Sequence, residues 1–115
     1  MKDHGELTYK GHKYNLVFNL NVMEQIQKEY GSVANWGELS DGSNKEPDAG
    51  AVIFGIGAMI NEGIDIENDD LPMDQKIQPF TKKQIGRIIT EVGLLNASNA
   101  MNETVVNSTK SGEKN

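Results

Sequence analysis

The chain has 115 residues and a mass of 12.7 kDa, the length of one ordinary domain. Its 11 Lys and Arg stand against 17 Asp and Glu, a formal charge of −6 that repels phosphate backbones and anionic lipid. Cysteine is absent, which excludes disulfide scaffolds, thiol catalysis and cysteine-ligated metal centres.

Leu, Ile, Val and Phe together number 27, little above the roughly one-fifth below which charged chains stay disordered. Any core is therefore small. Met1 to Glu6 offers no apolar stretch of the kind a signal peptide needs. The longest apolar run, Ala49 to Ile60, is shorter than the ~20 residues of a transmembrane helix. Sequons at Asn96, Asn102 and Asn107 would matter only on a secretory route, and chance matches are expected in an Asn-rich chain.

Glu6 to Asn19 reads as a β-hairpin, with Lys10-Gly11-His12 as its turn. Tyr14, Leu16 and Phe18 alternate with Lys13, Asn15 and Val17, a period of two that puts one face on a core. An isolated hairpin is marginal in water, so this one must lie on the helices that follow. Leu20 to Tyr30 is the first helix. Asn19 or Asn21 can cap it, Val22, Met23, Ile26 and Tyr30 form its apolar stripe, and Gly31 ends it.

Ser32 to Asp48 reads as a short turn around Val33 to Trp36, followed by a loop. Trp36, the one tryptophan, is either a core plug or a partner anchor; core packing is preferred, because buried aromatics dominate small cores. Pro47 to Asn61 is the second helix, apolar or Gly from Ala49 to Ile60 and so buried on most sides. Gly50, Gly55 and Gly57 each weaken it by roughly 1 kcal/mol relative to Ala, a cost offset only where another backbone approaches closely. A buried strand over Val52 to Ile56 is the competing reading, since periodicity does not separate short apolar runs.

Glu62 to Phe80 reads as a long acidic loop punctuated by Leu71, Met73, Ile77 and Phe80. Thr81-x-x-Gln84 is a capping box, and Ile85, Ile88, Ile89 and Val92 follow at helical spacing up to Gly93. Leu94 to Val106 is a weaker last helix. Asn107 to Asn115 has no apolar residue and is expected to be a disordered tail. The expected fold is thus α+β but mainly α: an N-terminal β-hairpin on three or four helices, one domain over 1–106, and a disordered tail over 107–115.

The residues suit binding better than catalysis, and no catalytic, cofactor or metal residues are assigned. His4 and His12 sit at the N-terminus and in the hairpin turn, where nothing encloses them to tune acid–base chemistry. Gly55-Ile56-Gly57 starts like a dinucleotide fingerprint but lacks the third glycine and a clear preceding strand, so helix packing is the better reading. Asp65, Glu67 and Asp69 mimic the first ligands of an EF-hand. The sixth position is Asp70 instead of Gly and the twelfth Lys76 instead of Glu, which leaves a solvated acidic loop, or at most a weak adventitious cation site.

The order of elements carries a resemblance. Gly11-His12-Lys13-Tyr14-Asn15-Leu16-Val17-Phe18 leads into Leu20-Asn21-Val22-Met23 and a helix closing on Tyr30-Gly31. An apolar segment ends in Met59-Ile60-Asn61-Glu62-Gly63, and Thr81-Lys82-Lys83-Gln84-Ile85-Gly86-Arg87-Ile88-Ile89 opens an amphipathic helix. Over roughly Glu6 to Val106 this pattern resembles the tail assembly chaperones of long-tailed bacteriophages and prophages. The resemblance implies a small, mainly helical, non-enzymatic protein of the host bacterial cytoplasm, with no cofactor. It implies binding to the phage tape measure protein, help in recruiting tail tube protein subunits, and departure before the virion matures; self-association stays open. Many such proteins also have a frameshifted longer form.

Trp36, Leu71, Met73 and Phe80 are the candidate partner contacts. The last three could instead dock their loop on the core, which is what apolar loop residues usually do. Two other functions fit less well. A tube or connector protein would be richer in strand. A small acidic regulator would gather its carboxylates on one face.

Overall fold

A computed structural model describes residues 5–113, with side chains through 109. Two strands, β1 (Gly5–Tyr9) and β2 (His12–Leu16), are followed by five helices: α1 (Leu20–Tyr30), α2 (Val33–Ser40), α3 (Ala49–Asn68), α4 (Lys82–Val92) and α5 (Leu94–Glu113). The fold is mainly helical with an N-terminal antiparallel hairpin, as expected. His4, Lys114 and Asn115 lie outside the described residues.

Helix α3 is the axis of the molecule. Its residues Val52, Ile56, Met59, Ile60 and Ile64 are buried, and the hairpin and all four other helices pack against it. It is long and apolar enough to cross a membrane by composition, the one such helix among the described residues, yet half of its apolar window is buried in this core. A core helix surrounded by other elements has the same uniformly apolar sequence. The radius of gyration is 13.8 Å, close to the ~13 Å of a single compact body of this length.

The hairpin pairs Gly5 with Leu16 and Tyr9 with His12, so the turn is Lys10-Gly11 alone and His12 belongs to β2. Both turn residues have positive φ, 52° and 77°, the geometry that matches the twist of two-residue hairpins. Leu7 and Leu16 point into the core. The Gly5 amide donates to Thr104 Oγ1 of α5 (3.0 Å), fastening the hairpin to the last helix.

Asn19 caps α1, its side chain accepting from the Val22 amide, so Asn21 is free for another contact. Thr81 and Gln84 form both bonds of the expected capping box. Ile85, Ile88 and Ile89 are buried.

Three further expectations are corrected, and one open alternative is resolved. The segment Val33–Ser40 is a two-turn helix instead of a turn and loop; Ser32 accepts from the Asn35 amide and starts it, and burial of Trp36 and Ser40 one turn apart holds it. The run Val52 to Ile56 is helical, so the strand alternative fails. Helix α3 starts at Ala49, capped by Asp48, and continues seven residues past Asn61, because Gly63 and Ile64 still face the core. The acidic loop therefore shrinks, and Asp65 and Glu67 lie on a helix where no EF-hand loop can form. Finally, α5 runs to Glu113, through the stretch expected to be a disordered tail from Asn107. Ser108 Oγ donates to the Phe18 carbonyl (3.1 Å), a polar anchor in a segment without apolar residues.

Candidate functional site

Helices α1 and α4 lie on either side of α3, both antiparallel to it. On the α1 side, the amides of Asn19 and Asn21 donate to the Glu62 carboxylate (2.7 and 3.1 Å). At the other end of α1 the Tyr30 ring meets the Phe54 ring edge-on, with centroids 5.5 Å apart. On the α4 side, the Asn61 amide holds the Phe80 backbone through two bonds, one to its N–H and one to its carbonyl (2.9 and 3.0 Å). Further along, Ile85 lies beside Gly57, and Ile53 reaches toward Gly86.

The two flanking helices leave a strip of α3 uncovered between them. Ile53, Phe54, Gly57, Ala58, Asn61 and Glu62 are half-buried and recur at helical spacing, and exposed Asp65 continues the line. With Tyr30, Phe80 and Ile85 in its walls, the strip floors an open groove of about 650 Å³. Its middle is apolar, with the small residues Gly57 and Ala58 on the floor. Its charged lining residues are Glu29, Glu62 and Asp65 against Lys82. The Tyr30 hydroxyl titrates above its ordinary range, first because of partial burial and then because of the negative charges of Asp48 and Glu29. A second hollow of about 630 Å³ lies beyond Tyr30 among Asn35, Glu38, Leu39, Asp41, Asn44 and Lys45.

The loop after α3 is held by its backbone. Asn68 clasps Ile77 as Asn61 clasps Phe80, with bonds of 2.8 and 2.9 Å. Two asparagines seven residues apart share one helix face and fasten the same loop twice.

Of the four candidate contact residues, Trp36 is sealed in the core at 1% exposure, and its Nε1 donates to the Ala51 carbonyl (3.0 Å). Its role as a partner anchor is corrected: the ring is a core plug, as preferred. Phe80 packs on the core and edge-on to Tyr14 (5.2 Å), and also forms part of the groove wall. Leu71 is half-buried and Met73 is 85% exposed; neither lines the groove. The three loop residues are therefore not one surface.

His12 lies over Tyr14 (centroids 4.4 Å apart) on the exposed hairpin end. Among the described residues, no group of three or more His, Asp or Glu side chains is placed to hold a metal ion. No buried side-chain nitrogen or oxygen among them lacks a hydrogen-bond partner. Against family models, curated proteins and solved structures, the chain matches none.

Proposed function

We propose that this protein is a phage tail assembly chaperone that binds the tape measure protein and helps recruit tail tube protein. The reading rests on the sequence resemblance, and one structural observation supports it: a chain of net negative charge carries an open, apolar-floored groove on its central helix. A tape measure protein is long, helical and rich in apolar faces, and an acidic carrier with such a groove can shield one of those faces while remaining soluble. The mainly helical fold favours this over a tube or connector protein, which would be richer in strand.

The test is co-expression with the tape measure protein encoded in the same genome. The client is expected to move from pellet to supernatant and to co-purify with this chain. A client that stays insoluble and does not co-purify refutes the reading, and a structural tail role becomes the better account.

A further inference from the structure

The shape of the groove limits what can fill it. Its floor, from Gly50 to Asp65 of α3, is about 22 Å long at 1.5 Å per residue, or four turns of helix. The walls are two helices parallel to each other, and the small residues Gly57 and Ala58 at mid-floor leave the floor low enough for side chains of a third element to seat there. A helix can lie in such a channel with its backbone bonds already satisfied, whereas an isolated extended strand would leave one row of amides and carbonyls without protein partners there.

Charge narrows the choice further. Glu62 and Asp65 flank the floor at one end and Glu29 does so at the other, with Asp48 adding to the negative field around Tyr30. Lys82 is the one cation in the lining. An apolar centre between acidic ends complements an apolar stripe with basic residues toward its two ends.

We infer that this groove receives an amphipathic helix of a partner protein, with small apolar residues on its contact stripe and Lys or Arg toward both of its ends. The inference rests on the chaperone reading for the client's identity; it adds which face of the chaperone is used and what the client segment looks like.

The probe is a fluorescent, Ala-rich peptide of about 18 residues, long enough to fill the floor. It has Ala and Leu at helical spacing along its middle and Lys in its first and last turns. A companion peptide carries Glu in place of Lys. Fluorescence anisotropy with the full chain should show the Lys peptide binding and the Glu peptide not. Binding should weaken as salt rises from 0.1 to 1 M and the screening length falls from about 10 to 3 Å. Glu29→Gln with Asp65→Asn, both exposed positions, should weaken binding about three- to tenfold without moving the thermal melt. Ala58→Trp should abolish it by filling the floor.

Equal binding of both peptides, or binding indifferent to the Glu29/Asp65 pair, overturns the inference. So does a wild-type dimer that the Ala58→Trp variant disrupts, because the groove would then belong to a second copy. If the tape measure protein is solubilised but the groove variants solubilise it equally well, the chaperone reading stands and this inference fails. If the Lys peptide binds the groove but the client is never solubilised, the chaperone reading fails and the groove specificity stands.

Discussion

Gly55 and Gly57 are two residues apart on α3, and replacing each with Ala should move stability in opposite directions. In a helix interior, Gly→Ala contributes about 1 kcal/mol of stability through backbone entropy alone. At Gly57 nothing opposes that gain, because the new methyl would sit 3.5 Å from Ile85 Cγ1, an ordinary contact. At Gly55 the methyl would lie 2.5 Å from both Met101 Sδ and Trp36 Cζ2, about 1 Å inside normal van der Waals separation. Met101 can swing aside. Trp36 cannot do so cheaply, since it is fully packed and its indole N–H is committed to the Ala51 carbonyl. Overpacking of this kind costs about 1–3 kcal/mol, which exceeds the propensity gain over most of that range. Gly57→Ala should therefore stabilise by about 1 kcal/mol and Gly55→Ala destabilise by about 1 kcal/mol, and the two melts should differ by on the order of 10 °C. Urea and thermal unfolding followed by the emission of the single tryptophan read both effects. Equal stabilisation by the two substitutions would mean that Trp36 and Met101 do not meet over Gly55, and the central packing described above would be wrong.

Other substitutions probe the remaining contacts. Gly63→Ala should lower stability more than Gly55→Ala, because the atom 2.8 Å from its new methyl is the Asn15 carbonyl oxygen of β2, which moves only with the hairpin; comparative urea midpoints check this. Ile88→Asp buries an unpaired charge at a position with no exposure, at a cost of several kcal/mol against a total of about 5–10 kcal/mol, and should abolish the cooperative melt. Truncation after Asn107 removes the Ser108–Phe18 bond and should lower stability by about 1 kcal/mol, where loss of a free tail would cost nothing; Ser108→Ala should reproduce most of the effect. Lys10→Asn relieves a non-glycine residue at φ 52° and should raise the melting midpoint by a few degrees, equivalent to about 0.5 kcal/mol.

The elements that sequence reasoning placed well are those with a punctuated local signal. The capping box at Thr81 and Gln84 and the glycine after Val92 bound α4 on both sides, and its isoleucines have one period. Helix α1 has the same clarity, from Asn19 to Gly31. The errors arose where tertiary burial overrode local polarity. Asn61 and Glu62 look like the end of a helix and the start of a loop. They are instead helical surface residues that fasten α4 and α1, while Ile60, Gly63 and Ile64 beside them remain in the core. Helix α2 is too short and too glycine-interrupted to stand on propensity, and its stability comes from Trp36 reaching into the core. At the C-terminus the absence of apolar residues concealed a helix that continues from a well-packed preceding turn, with Met101 and Thr104 buried.

The groove was hidden for a related reason. A helix that is apolar over twelve consecutive positions shows no amphipathic contrast, so its sequence does not tell which strip its neighbours leave open. The legible signal lies just past the apolar run. Asn61, Glu62 and Asp65 are polar while Ile60, Gly63 and Ile64 are not, and that division, carried back one and two turns, selects the strip through Ala58, Gly57, Phe54 and Ile53. The same continuation accounts for the division of labour among the glycines. Gly55 and Gly63 lie on the inner side, where a ring and a strand press against the helix; Gly57 lies in the half-buried strip, where the Ile85 side chain of α4 is an ordinary contact away. One helix thus uses the same residue type for two purposes: to close the core on one face and to keep the groove floor low on the other. The acidic residues follow the second purpose, since Glu62 and Asp65 stand on the open strip and Glu29 faces it from α1. A surface that is apolar in the centre and negative at its ends is selective among helices, admitting those with a narrow apolar stripe and basic ends and repelling acidic ones.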